Sequence, residues 1–164
     1  MQSWAFSIQR EIFQNTVVDI GYVGNKSTNL ILFADFNQAR PNNPGENLPL
    51  QARRPNPNFA AITVTFPAAN ATYHALQAKL ERRFSGGFYL LNSFVYSKAI
   101  DTVGQSLEAQ GSGGRTSPQN FYDLAAERAP ADFDQKFNNT TSVVWELPFG
   151  RGRRYLGDLS QGAD

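Results

Sequence analysis

The chain has 164 residues, enough for one domain with a core, and a formal net charge of +1, which argues against a nucleic acid or a strongly acidic partner. It has no Cys, which excludes disulfides and thiolate metal sites, and its single His makes a His-rich metal site a poor reading. Aromatic residues make up 13% of the chain, which suits either interfacial girdles or an ordinary β core, and no apolar run reaches the length of a membrane helix.

Met1-Gln2-Ser3 leads straight into Trp4 with neither a basic start nor an apolar core, so no secretory leader is visible. Trp4–Arg10 alternates, with Trp4, Phe6 and Ile8 opposite Ala5, Ser7 and Gln9. Glu11–Asn15 reads as a short connection. Thr16–Val23 alternates again, with Val18, Ile20 and Tyr22 opposite Val17, Asp19 and Gly21.

Gly24–Asn58 is rich in Asn, Pro, Gly and Gln and reads as a long loop with a brief strand at Leu30–Phe33. Prolines at 41, 44, 49, 55 and 57 make its second half irregular. Ala60–Phe66 is another short strand candidate, and Pro67–Thr72 is expected to end it.

Tyr73–Phe84 supports two readings. Ala75, Leu76, Gln77, Lys79, Leu80, Glu81 and Arg82 are good helix formers, and Leu76, Leu80 and Phe84 recur at helical spacing. The stretch also alternates, with His74, Leu76, Ala78, Leu80, Arg82 and Phe84 opposite Gln77, Lys79, Glu81 and Arg83, the length and pattern of a strand crossing a bilayer. Ser85-Gly86-Gly87 is a tight hairpin connection, and Phe88–Ala99 is a strand rich in aromatic and β-branched residues.

A second long loop is expected over Thr102–Asp134, followed by a strand at Phe137–Leu147, a Gly/Arg turn at Pro148–Arg154 and the start of another strand at Tyr155. Asp132 and Asp134 share a face if extended, but no base or metal ligand accompanies them. With Glu127 and Arg128 they are expected to order the loop. Calcium is weakly signalled there because the EF-hand spacing is absent. The Gly/Arg turn lacks the Gly-Lys-Ser/Thr ending of a phosphate loop, and no nucleophile elbow is present. No catalytic, cofactor or metal residues are assigned, and no enzyme activity is expected.

The segments WAFSIQREI, NTVVDIGYVGNKSTNL, YHALQAKLERRFSGGFYLLNSFVYSKAID, NFYDLAAERAPADFD and WELPFGRGRRYL resemble, in that order, the barrel of TonB-dependent outer-membrane receptors. The closest group is the Oar-like receptors with a carboxypeptidase-regulatory-like domain. One departure is that Gln135, Lys136 and Phe137 follow Asp-Phe-Asp, where the family usually has a basic residue and His.

The resemblance implies an all-β fold over residues 1–164: an open, curved, antiparallel part of a transmembrane β-barrel with two long extracellular loops. Tyr73–Phe84 is then a strand, with Gln77, Lys79, Glu81 and Arg83 facing the lumen. Signal peptide, plug domain and remaining strands would belong to a longer parent chain. The implied partners are outer-membrane lipid, that plug and those strands, the TonB system and an unknown solute, with no nucleic acid and no cofactor. The implied function is energy-coupled uptake across the bacterial outer membrane.

Barrels of this kind keep short turns on the periplasmic side. A separate crossing at Ala60–Phe66 would swap the sides of everything after it, so that stretch is expected to belong to the extracellular excursion, either pairing with Leu30–Phe33 or extending the strand at Tyr73. The alternative function is a soluble or surface β-rich carbohydrate-binding or adhesion module, whose apolar face would be covered by a second sheet.

Overall fold

The computed structural model describes residues 1–102 and 117–149. Six strands form a single sheet: β1 (Gln2–Phe13), β2 (Thr16–Asp35), β3 (Thr63–Ser85), β4 (Phe88–Asp101), β5 (Ala129–Pro130) and β6 (Phe137–Trp145). The order is β1-β2-β3-β4-β5, with β6 also on β4, and this antiparallel sheet is open. The helical content among the described residues is a four-residue 3₁₀ turn at Leu50–Arg53.

Local chemistry sets the two hairpins. Gln14-Asn15 joins β1 to β2, and Asn15 takes φ 62°, a left-handed conformation that Asn tolerates better than most side chains. Gly86 and Gly87 join β3 to β4 at φ 61° and 81°, the double positive φ of a type I′ turn. The turns lie close together, since the Arg83 amide donates to the Asn15 carbonyl at 2.8 Å.

Several boundaries correct the sequence reading: β1 runs on to Phe13, so the connection expected over Glu11–Asn15 shrinks to Gln14-Asn15. β2 does not stop at Val23 but runs on through Gly-Asn-Lys-Ser-Thr-Asn to Asp35. These polar residues favour loops locally, yet the pairing with β3 holds them extended. Asn29 takes φ 58° within the run, a left-handed conformation that Asn tolerates better than most side chains.

β3 begins at Thr63 and passes through Pro67 without a break, so Thr63–Phe66 extends the strand at Tyr73, as one of the two expectations had it, and Pro67–Thr72 does not end a strand. Tyr73–Phe84 is strand throughout, so the backbone follows its alternation and not its helix propensity. The second long loop contains the two-residue strand β5, which pairs Ile100 with Pro130 and Asp101 with Ala129. The expected Gly/Ser start of that loop, the Gly/Arg turn beyond Phe149 and the strand at Tyr155 lie outside the described residues.

The chain divides into two units. The first comprises Met1–Trp4, Val23–Ala75 and Ser97–Lys136. Its core is Leu32, Ala34 and Ala69, with Phe66, Ala68, Phe121 and Leu124 packed against them. Phe121 meets Phe36 and Phe66 edge-on at 5.8 and 5.5 Å between ring centres.

The second unit comprises Ala5–Tyr22, Leu76–Tyr96 and the chain from Phe137. The buried hydrophobic residues among those described all fall in the first unit. In the second, Phe6, Ile8, Ile20, Leu76, Val143 and Trp145 are exposed.

Candidate functional site

In the second unit, alternation sorts the side chains onto two faces. One face carries a shallow apolar groove of about 370 Å³. Phe6, Ile8, Arg10 and Ile12 of β1, Val18, Ile20 and Tyr22 of β2, and Leu76 of β3 line it, with Arg10 the one charged side chain among them. These residues fall at every second position along their strands, as the pleat requires.

The intervening positions carry charge. Lys79 Nζ lies 2.9 Å from Glu81 Oε2, and Asp19 of β2 and Tyr89 of β4 lie within Coulombic reach of the same ammonium. Lys79 and Glu81, two residues apart on one strand, therefore share a polar face with a carboxylate from the neighbouring strand. Gln77 and Arg83, two of the four residues expected to face a lumen, are exposed.

Aromatic rings stand at several strand ends. Phe88 pairs with Trp145, and Tyr96 with Phe137, on the β4–β6 ladder. Arg82 places its guanidinium 5.7 Å from the centre of the Phe88 ring. In the first unit, Trp4 and His74 are ring neighbours at 5.9 Å, so the single histidine sits against an aromatic side chain.

The segment from Ser117 is tied at one end to Gln38, just beyond β2, and at the other to β4, both within the first unit. At one end Gln38 donates to the Gln119 carbonyl at 2.5 Å and accepts from the Phe121 amide at 2.6 Å, while Tyr122 Oη donates to the Gln38 carbonyl at 2.8 Å. At the other, Asp134 accepts from the Ala99 amide at 2.7 Å and meets Lys98 Nζ at 2.5 Å.

Of the four residues expected to order this loop, Asp134 therefore joins it to β4, and Glu127 accepts the Asn120 amide at 2.8 Å within it. Arg128 reaches Thr72 Oγ1 at 3.5 Å. Asp132 stands near Asp101. Burial, then the Asp132 charge, pushes the Asp101 carboxyl above its ordinary range. The Ala99 amide, followed by Lys98, holds Asp134 below that range.

Between this segment and the strands of the first unit lies a cavity of about 540 Å³. Lys26 and Thr28 of β2, Asn70 and Thr72 of β3, and Arg128 of the loop contribute polar groups. Ala68, Ile100 and Leu124 contribute apolar wall. Gln38 and this cavity were not anticipated from the sequence. The only local signal was one cation, Lys26, in a stretch that reads as loop.

No group of three or more metal-ligating side chains comes together among the described residues, and no helix there is long and apolar enough to cross a membrane.

A family model described as an outer membrane beta barrel domain matches residues 1–163. No curated protein and no solved structure matches the chain.

Proposed function

The chain belongs to the outer membrane β-barrel domain family of bacteria, and from that premise we propose that it forms part of the wall of a TonB-dependent receptor that takes up a solute across the outer membrane. The observation that carries the wall reading is the apolar face of the second unit, where Phe6, Ile8, Ile20 and Leu76 are exposed among the described residues. Water-soluble monomers seldom leave so contiguous an apolar surface exposed, and lipid is the solvent that suits it. A sandwich-type binding module would cover that face with a second sheet, and the described strands form one sheet.

Strand lengths agree with this reading. A barrel strand needs about 9–11 residues to cross the hydrocarbon. β1, β4 and β6 have 12, 14 and 9. β2 and β3, at 20 and 23 residues, are about twice as long as a crossing requires, so each continues past the bilayer at its long-loop end. The uptake role is supported by the ordered resemblance of the five sequence segments to TonB-dependent receptors, and by the charged face around Lys79 and Glu81, which suits contact with a plug.

Single cysteines in the parent protein test both parts. At Ile8, Ile20 and Leu76 they should react with a lipid-confined thiol reagent and at Lys79 and Glu81 with a water-soluble one. In a plugged receptor the Lys79 and Glu81 positions react slowly and speed up when the plug is deleted. Equal labelling of both sets would reject the wall. Fast labelling that plug deletion leaves unchanged would reject the plugged receptor in favour of an open pore.

A further inference from the structure

We infer that the cavity between the Ser117–Asp134 segment and the strands of the first unit is a binding site for a small amphipathic anion, one carrying a phosphate or carboxylate on an apolar body. Placing the cavity at the cell surface rests on the barrel reading, in which the long-loop ends of β2, β3 and β4 point outward.

Three observations carry the inference. The first is charge: Lys26 and Arg128 both line the cavity, and no carboxylate is found among the described residues lining it. Two cations sharing a cavity without a counter-ion favour an anion in it. The second is the rest of the lining. Thr28 and the second Nδ2 proton of Asn70 can donate to further anion oxygens, while Ala68, Ile100 and Leu124 offer an apolar wall. A bare inorganic anion would leave that wall uncovered, so a ligand with both parts fits best.

The third is order. The loop side is held by Gln38 at one end and by Asp134 at the other. The strand side is closed by the exchange between Asn70 and Thr102, whose amide donates to the Asn70 carbonyl at 2.9 Å. A cavity fastened in this way needs little rearrangement to accept a ligand, which lowers the entropic cost of binding.

The anionic group has two sources, a lipopolysaccharide phosphate of the outer leaflet and a soluble solute. The purified parent protein in nanodiscs would be titrated with phenyl phosphate, with benzyl alcohol as the neutral counterpart and inorganic phosphate as the bare anion. Phenyl phosphate should bind tightest. Lys26→Gln and Arg128→Gln should each weaken it about tenfold or more while leaving benzyl alcohol unchanged. Lys26→Arg should retain binding, which separates lost charge from lost folding.

Lipopolysaccharide in the nanodisc displaces phenyl phosphate if the occupant is the lipid phosphate, and leaves it unaffected if the site serves a soluble solute. Equal affinity for phenyl phosphate and benzyl alcohol, or unchanged binding in the double Gln variant, overturns the site. Cysteine labelling at Ile8 and Lys79 in the same preparations reports the barrel separately, so a failed site and a failed barrel give different results.

Discussion

The side chain of Asn37 pairs with the backbone of Asn56 as a neighbouring strand would: its Oδ1 accepts the Asn56 amide at 2.8 Å and its Nδ2 returns to the Asn56 carbonyl at 3.0 Å. The same Nδ2 also reaches the carbonyls of Phe59 and Ala60 at 3.0 and 2.8 Å. Asn37 is 2% exposed, so little water competes for these groups. One amide thus fastens the return of a long loop to the end of β2. Asp35 completes the join, accepting the Asn37 and Ile62 amides and the Arg54 guanidinium.

Asn37→Ala should release this loop. Each buried backbone group left without a partner costs about 1–3 kcal/mol, so a local loss of about 2–4 kcal/mol is expected. Hydrogen exchange and limited proteolysis between residues 39 and 60 should rise sharply, while exchange in β1 stays unchanged. Asn37→Asp should be as damaging, because it sets an oxygen against three carbonyls. Unchanged protection in both variants would show that the amide does not hold the loop.

The carboxylates at the long-loop end predict opposite pH responses. Burial raises Asp35, but the Ile62 amide and Arg54 outweigh it and leave the group below its ordinary 3.8. Asp134 is also lowered, by the Ala99 amide and then Lys98. A carboxylate with a depressed folded pKa contributes stability above its unfolded pKa and loses it as pH falls through the folded value. Loop protection should therefore drop below about pH 4, with Asp35→Asn and Asp134→Asn flattening the profile.

Asp101 has the reverse sign. Its folded pKa is raised, by burial first and by Asp132 second. The favourable balance holds below the unfolded pKa and is lost as pH rises through the folded one. Asp101→Asn should therefore stabilise the protein at neutral pH and make little difference in acid. Thermal unfolding at two pH values decides it; a destabilising effect at neutral pH would contradict the assignment.

The crossing strands were legible because their alternation is local. The Trp4–Ile8, Val18–Tyr22 and Leu76–Leu80 patterns and the Gly86-Gly87 turn each lie within one window of the chain. The extension of β2 through Gly24–Asn29 was not legible, since Asn, Ser and Gly there favour loops until β3 pairs with them. Pro67 misled in the same way, because it breaks strands in general but is tolerated here within β3. Asn37 and Gln38 act on partners 19 and more than 80 positions away, and nothing in their neighbourhood marks either. Lys79 and Glu81 could be placed on one face from spacing alone, whereas the placement of Lys26 and Arg128 around one cavity required the folded loop.

Gly24 lies beneath the indole of Trp4. A Cβ added there would fall 2.2 Å from two atoms of that ring, so Gly24→Ala must displace it. Such overpacking costs about 1–3 kcal/mol. With Trp145 and the parent protein's remaining tryptophans replaced by Phe, fluorescence reports Trp4 alone and should shift in the alanine variant. Adding Trp4→Ala should remove most of the penalty, since the two residues are in contact.

Asn92 is the polar centre of a largely apolar register on β4. Phe88, Leu90, Phe94 and Tyr96 share its face, and Trp145, Val143 and Phe137 oppose them on β6. Its Nδ2 donates to Asn139 Oδ1 at 2.8 Å and to Thr141 Oγ1 at 2.7 Å, so the three polar side chains satisfy one another across the ladder. If this face meets lipid, a lone amide there has no water to turn to. Asn92→Ala should then destabilise the folded barrel by about 1 kcal/mol, within the range measured for polar pairs in membranes. Removing all three polar groups, as Asn92→Leu with Asn139→Leu and Thr141→Val, should recover that loss, because no partner is left unpaired. Urea unfolding of the parent protein from lipid vesicles measures both. If the triple variant is less stable than Asn92→Ala, the cluster faces water and the opposite face of β4 belongs to the lipid.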